Sequence, residues 1–160
     1  MEVTRVSQTQ CGPKTPVSSG VWVRLMGTAI VFIGSLVFFS LFRLYGFQIE
    51  DEGTMLFQLS RIVAGQFPYV DFHTGYTPGF FYVGAAILHA LGDSTTTLRP
   101  FLALMNAASV AGLYALARRV VGPWMAALPA LAWLAFLPVY RDFAAFNIPY
   151  PAWFATLAWV

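Results

Sequence analysis

Five long stretches of the chain contain no Asp, Glu, Lys or Arg, and they limit its fold more than any other feature. They cover residues 25–42, 72–92, 100–117, 120–140 and 143–160. The hydrocarbon core of a bilayer is about 30 Å thick, a distance that roughly 20 helical residues cross. Lipid offers no partner for backbone N–H and C=O groups, which excludes open strands there. The pattern predicts an all-α fold, a polytopic transmembrane helix bundle of about four or five helices.

The composition does not provide the polar surface that a soluble domain needs. Charged residues make up 10% of the chain and hydrophobic residues 58%, whereas soluble domains have about 25% charged residues. An aromatic content of 17% and ten prolines exclude a simple coiled coil and a disordered tail. The net charge of +2 is too small to indicate nucleic acid binding. The single cysteine, Cys11, excludes an internal disulfide.

The chain divides into a polar N-terminal segment and an apolar remainder. Residues 1–20 contain Gly12-Pro13 and Pro16, and we expect a flexible cytoplasmic tail there. Residues 21–160 are expected to be the N-terminal part of a larger membrane domain, because residues 153–160 are still apolar. The first apolar stretch exceeds the about 7–15 residues of a signal-peptide core and precedes no A-x-A-like site. A retained transmembrane helix is therefore favoured over a cleaved signal.

The basic residues give only a weak prediction of orientation. With the N-terminus in the cytoplasm and every apolar stretch crossing the membrane, five basic residues are cytoplasmic and four are external. The cytoplasmic set is Arg5, Lys14, Arg24, Arg99 and Arg141, and the external set is Arg43, Arg61, Arg118 and Arg119. Because the positive-inside rule depends on an excess in short loops, five against four does not decide the orientation.

Three consecutive acids, Glu50-Asp51-Glu52, follow the first apolar stretch. One Asp at the centre of a membrane helix costs roughly 2.5–3.5 kcal/mol on insertion scales, so this cluster must lie at the interface or in a wet cavity. The residues after it predict a short amphipathic helix that ends at Gly65 and lies on the membrane surface, with the acids at its N-terminus. Its predicted apolar face consists of Met55, Leu56, Leu59, Ile62 and Val63, and Thr54, Gln58 and Arg61 lie on the other face.

Two interpretations of these acids stay open on physical grounds alone. The cluster can be a solvated cap after a membrane helix, or it can carry chemistry, and Asp71 and His73 share this ambiguity. No His or Cys pair has metal-ligand spacing, so no metal site and no cofactor is predicted.

The order of features resembles the N-terminal part of a family of membrane enzymes. An apolar helix leads into Asp51-Glu52-Gly53, a short helix and the segment 65–71, and Tyr76-Thr77-Pro78-Gly79 precedes the next apolar helix. Gly92-Asp93-Ser94, Arg99 and the segment 114–119 follow. This order resembles the C-type glycosyltransferases of the dolichyl-phosphate-mannose protein mannosyltransferase-like group. The group includes the bacterial aminoarabinose transferases of lipid A and the related lipopolysaccharide core transferases.

The resemblance implies a multi-pass enzyme of the plasma (inner) membrane that moves a sugar from a polyprenyl phosphate to a lipid or glycan acceptor on the external face. It implies that Asp51 is the catalytic carboxylate, with Glu52 as its partner, and that the loop is external. Asp71, His73 and Tyr76 are further candidates for substrate binding. The lipid A transferases contact the donor phosphate through a Lys before a Pro-Pro, and the matching stretch here has no Lys. Arg61 is then the candidate cation.

Two other classes of function remain as alternatives. A transporter or flippase fragment would place ionisable groups at mid-membrane, whereas His89 and Asn106 are the notable polar groups in the apolar stretches. A non-catalytic membrane subunit is the second alternative. These 160 residues alone are not expected to turn over substrate, because the family also uses later segments to bind it.

Overall fold

The described part of the chain is helical. The computed structural model describes residues 18–92, 94, 96–136 and 144–149. A π-helical turn, Ile49–Gly53, precedes the second α-helix, and a 3₁₀ turn spans Ala145–Asn147. No β-strand forms in these residues, so the all-α prediction is confirmed for them. The α-helices are α1 (Ser18–Phe42), α2 (Thr54–Val63), α3 (Pro78–Leu91), α4 (Arg99–Val120) and α5 (Pro123–Phe136).

Two helices are long and apolar enough to span a membrane. α1 has 25 residues and α4 has 22, which gives lengths of about 37 and 33 Å at 1.5 Å per residue. The surface of α1 is largely exposed, whereas half of α4 is buried in the protein. α3 and α5 have 14 described residues each, about 21 Å, which is less than the thickness of the hydrocarbon core. The described residues therefore contain two candidate spans rather than four or five.

α1 and α4 form an antiparallel pair. Near one end, a Cβ added to Gly27 would lie 3.0 Å from the Tyr114 hydroxyl oxygen, so the two helices approach closely there. At the other end, Nη1 of Arg99 donates to the Arg43 carbonyl at 3.0 Å. α5 and the 3₁₀ turn pack against this pair. The resulting core consists of Phe39, Ala103, Ala107, Val110, Tyr114, Ala126, Ala130, Ala144 and Phe146.

α2 and α3 pack against each other in a second, smaller core. Gly84 allows the close approach, because a Cβ at this position would lie 2.8 Å from Cδ2 of Leu59. The predicted apolar face of α2 is confirmed for Met55, Leu56 and Leu59, which are buried. What covers that face differs from the prediction, since α3 packs on it where the bilayer surface was expected. Phe80, Phe81, Leu88 and Leu98 complete this core.

The segment 43–98 leaves and rejoins the α1–α4 pair at the same end, because Arg99 at the start of α4 contacts the Arg43 carbonyl. The predicted topology puts Arg43 and Arg99 on opposite faces of the membrane, whereas the structure brings them into contact. The apolar stretch 72–92 begins as a loop, and α3 starts only at Pro78, because a proline disfavours helical conformation in the residue before it.

Some predictions lie outside the described residues. These are the tail before Ser18 with Cys11, Asp93 of the segment Gly92-Asp93-Ser94, the cytoplasmic placement of Arg141 and most of the fifth apolar stretch. The chain breaks at Gly122-Pro123, since α4 ends at Val120 and α5 begins at Pro123.

Candidate functional site

The three acids lie on the π-helical turn at the end of the α1 segment. Gln48 has extended backbone angles, and its carbonyl accepts from the Glu52 N–H at 3.0 Å, which closes the turn. α2 begins directly afterwards at Thr54, so the acids lie at its N-terminus as predicted. The three side chains differ in their exposure to solvent. Glu50 is exposed, Asp51 is partly exposed and Glu52 is buried. π-helical turns are rare and occur frequently at functional sites.

Glu52 forms a buried, bidentate ion pair with Arg99. Nε of Arg99 donates to Oε1 at 2.8 Å and Nη2 donates to Oε2 at 2.9 Å. The side chains are only 4% and 2% exposed, for Arg99 and Glu52 respectively. Both carboxylate oxygens are engaged. Glu52 therefore anchors the π-helical turn, which also carries Asp51, to the first turn of α4.

Arg99 also caps the C-terminal end of α1. Its Nη1 donates to the Arg43 carbonyl at 3.0 Å and its Nη2 donates to the Gly46 carbonyl at 2.6 Å. Nδ2 of Asn147 donates to the carbonyls of Phe42 at 2.9 Å and Tyr45 at 3.3 Å. The last carbonyls of a helix have no intrahelical partner. Here an arginine and an asparagine from distant parts of the chain satisfy them.

Arg61 and Asp71 belong to a second cluster that holds the loop between α2 and α3. Nε of Arg61 donates to Oε1 of Gln66, and its Nη2 donates to the Asp71 carbonyl at 3.0 Å. The guanidinium carbon lies 4.6 Å from the ring centroid of Phe72, within cation–π range. Oδ2 of Asp71 accepts from the Phe67 N–H at 2.7 Å. Arg61 and Asp71 were predicted to bind substrate, and the structure shows that both also stabilise the loop between α2 and α3.

The remaining loop candidates lie beside this cluster. The Tyr69 hydroxyl donates to the Tyr76 carbonyl, and Tyr69 has a positive φ of 67°. Tyr76 is 38% exposed and His73 is also exposed. The loop tip presents apolar side chains to its surroundings, since Val70 is 81% exposed. Gly65 ends α2 with a φ of 86°, a conformation that glycine adopts without steric cost, and the predicted helix end is confirmed.

The structure brings the predicted site residues together in two groups rather than one. Glu50, Asp51 and Glu52 share the turn above α1, and Arg61 and Asp71 share the loop contacts. Within the described residues, no group of three or more His, Cys, Asp or Glu side chains is arranged to hold a metal ion.

Sequence reasoning missed the role of Arg99 and Asn147. Arg99 was noted in the resemblance but placed on the opposite face from Arg43, and Asn147 was not singled out. No local signal could reveal these contacts, because the sequence separations are 47 residues for Arg99–Glu52 and 105 for Asn147–Phe42. The only available indication was that a membrane protein with so few charges must pair any that it buries.

Oε1 of Gln48 is buried and has no hydrogen-bond partner within the described residues. Most buried polar atoms in proteins are paired, so such an atom needs an explanation. It lies three residues before Asp51 on the same turn.

Comparisons of the chain with protein-family models, with curated proteins and with solved structures give no match.

Proposed function

We propose that this chain is the N-terminal part of a membrane glycosyltransferase that moves a sugar from a polyprenyl phosphate to an acceptor hydroxyl. The observation that supports it best is the placement of Asp51. This carboxylate is partly exposed on a π-helical turn, which residues 43–48 connect to a helix long enough to span a membrane. It therefore lies near the depth at which the phosphate of a membrane-held donor would be found.

Asp51 is the general base in this proposal. The acceptor oxygen attacks the anomeric carbon, and its proton passes to the Asp51 carboxylate as the new C–O bond forms. The bond between the anomeric carbon and the phosphate oxygen breaks, and polyprenyl phosphate leaves with the electron pair. Because attack and departure are in line, the anomeric configuration inverts. A positioned base contributes about 10²–10⁴-fold to such a step.

Glu52 acts as a positioning residue. Its carboxylate is committed to Arg99, so the buried ion pair keeps the turn beneath Asp51 in one conformation. The unpaired Oε1 of Gln48 is a buried acceptor that a bound hydroxyl could satisfy. The ion pair therefore holds the turn rigid at Glu52. At Gln48, the same turn offers a buried acceptor that no donor among the described residues satisfies.

The second cluster supplies the substrate contacts in this proposal. The leaving phosphate is anionic and needs a cation, and Arg61 takes this role through Nη1 while Nε and Nη2 hold the loop. Asp71, His73 and Tyr76 are exposed around it and bind the acceptor sugar or lipid.

The proposed location is a plasma membrane, with the N-terminus in the cytoplasm and the loop 43–98 outside. Arg24, Arg118 and Arg119 lie towards one end of the α1–α4 pair, and the described acidic residues lie at the other. Among the described residues, Arg43, Arg61 and Arg99 at the acidic end balance these three arginines, so the excess that the positive-inside rule requires comes from Arg5 and Lys14. Chain direction then places Arg5 and Lys14 on the cytoplasmic side too.

The test is the Asp51→Asn change in the full-length protein, assayed for sugar transfer from a polyprenyl-phosphate donor in proteoliposomes. We expect a loss of about 10²-fold or more, because the base is removed while the side-chain shape is kept. Glu50→Gln is the matched control, since Glu50 is the exposed neighbour on the same turn, and it should stay within a few-fold of wild type. Equal activity of the Asp51→Asn and wild-type proteins would remove Asp51 from the mechanism.

A further inference from the structure

Two adjoining cavities between α1 and α5 form one apolar groove along the side of the α1–α4 pair. Their volumes are about 320 and 200 Å³. Val31 and Ala127 line both cavities, so the two are direct neighbours. The lining side chains are apolar except for the hydroxyl groups of Ser35 and Tyr114 and the indole N–H of Trp124. The remaining walls include Gly27, Gly34, Val110, Trp124 and Leu131.

The groove lies within the candidate span of α1, Gly20–Phe42. On this helix it reaches from Gly27 to Ser35, about 12 Å at 1.5 Å per residue. Its floor is α4, and an added Cβ at Gly34 would meet no atom within 4 Å. A long, narrow and apolar groove at this depth fits one hydrocarbon chain lying parallel to the helices.

Gly27 and Tyr114 line one end of the groove, and two arginines lie just beyond that end. Arg24 precedes Gly27 by three residues, and Arg118 follows Tyr114 by four, so each shares a helix face with the groove residue next to it. Nη1 of Arg118 donates to the Val121 carbonyl at 3.3 Å, which keeps its guanidinium near the helix end.

The described charged residues at this end of the groove are all basic. The acidic residues of the described chain, from Glu50 to Asp71, belong to the segment that joins the opposite end of the α1–α4 pair. Trp124 is 87% exposed beside the groove entrance, as is typical of aromatic residues at headgroup depth. An apolar groove that ends in cations with no acidic neighbour among the described residues matches a lipid whose hydrocarbon chain carries an anionic headgroup.

We propose that the α1–α5 groove binds one chain of an anionic phospholipid, with Arg24 and Arg118 holding its phosphate. A second copy of this chain fits less well, because a symmetric contact through the same face would bring the arginines of the two copies together. This site is separate from the acidic turn, and it does not depend on the proposed sugar transfer.

The experiment measures lipid retention by the full chain. The protein is placed in nanodiscs of phosphatidylcholine with a minor fraction of phosphatidylglycerol, then released into detergent and analysed by native mass spectrometry. We expect phosphatidylglycerol to be retained at one molecule per chain in preference to phosphatidylcholine. Equal retention of the two lipids would overturn the proposal.

Arginine variants test the headgroup contact. Arg24→Gln and Arg118→Gln should each weaken phosphatidylglycerol retention about fivefold, the effect of roughly one basic residue near a lipid surface. Arg119→Gln is the matched control, because Arg119 has the same charge but follows Tyr114 by five residues and lies on another face of α4. It should change retention by less than about twofold. If Arg119→Gln weakens retention as much as Arg118→Gln, the contact is diffuse attraction and the proposal fails.

Gly34→Leu tests the groove with the arginines intact. Because the Cβ position is open, the leucine should fill the groove without disturbing the backbone. Retention should fall while circular dichroism and detergent elution stay unchanged. Unchanged lipid retention, or dimer masses in the wild type that Gly34→Leu abolishes, would show that the groove does not hold this lipid.

Discussion

At the scale of single residues, Arg99 connects parts of the protein that are far apart in sequence. Its guanidinium binds the Glu52 carboxylate and the carbonyls of Arg43 and Gly46. A planar guanidinium has five N–H donors in a fixed arrangement, which a lysine cannot reproduce. One side chain therefore fixes the end of α1, the acidic turn and the start of α4.

We predict that Arg99→Met lowers the free energy of unfolding by about 3–5 kcal/mol, since it leaves the Glu52 charge buried without a partner. The double change Glu52→Leu with Arg99→Met should recover part of this loss, because no uncompensated charge remains. Recovery should be incomplete, since the carbonyls of Arg43 and Gly46 still lose their donor. Denaturant titration of the purified protein in detergent, followed by circular dichroism, gives these values.

Arg119→Met is the control for this series. Arg119 is exposed near the other end of α4, and such surface changes usually stay within about 0.5 kcal/mol. A loss below about 1 kcal/mol for Arg99→Met would contradict the assigned importance of the ion pair.

At the scale of helices, α2 shows what an amphipathic pattern does and does not specify. The spacing of its apolar residues identified the face that is buried. It could not identify the partner, because a bilayer and another helix both remove apolar side chains from water. The partner is α3, and its small Gly84 makes room for Leu59.

We predict that Gly84→Ala destabilises the α2–α3 packing. The new Cβ would lie 2.8 Å from Cδ2 of Leu59, which is fully buried and cannot move freely. Overpacking of this kind costs typically about 1–3 kcal/mol. Thermal unfolding in detergent should show a lower midpoint for this variant than for wild type.

Gly79→Ala is the control on the same helix. No atom lies within 4 Å of its added Cβ, and alanine has the higher helix propensity. The midpoint should stay equal or rise. If the two variants behaved alike, the close approach of α2 and α3 would not be the cause.

At the scale of the whole molecule, the contact between Arg43 and Arg99 closes the segment 43–98 into a loop. Both ends of this loop meet at the same end of the α1–α4 pair, and the loop contains the acidic turn, α2 and α3. The basic residues Arg24, Arg118 and Arg119 are then grouped near the other end.

We predict that cysteines at His73 and Ser94 react with a membrane-impermeant maleimide from the same side of the membrane. Both residues are exposed, and they flank α3. Val121→Cys should react only from the opposite side. The experiment uses intact and permeabilised cells expressing the full chain with Cys11→Ser, which removes the native thiol.

This experiment distinguishes an α3 that crosses the membrane from an α3 that stays on one side of it. If α3 crossed the membrane, Ser94→Cys would be labelled from the side opposite to His73→Cys. External labelling at both positions would also support the proposed orientation, and cytoplasmic labelling at both would reverse it.

The sequence by itself determined the class of structure, the helical start after Glu50-Asp51-Glu52 and the end of α2 at Gly65. These features depend on hydrophobic spacing, helix ends and backbone preferences, all of which act over a few residues. Tertiary structure alone decided that α3 packs on α2, that Glu52 is buried against Arg99, and that Asn147 caps α1. Such contacts join residues 25 positions apart for Leu59 and Gly84, 47 for Glu52 and Arg99, and 105 for Phe42 and Asn147. Their energies depend on desolvation and geometry that no local pattern encodes.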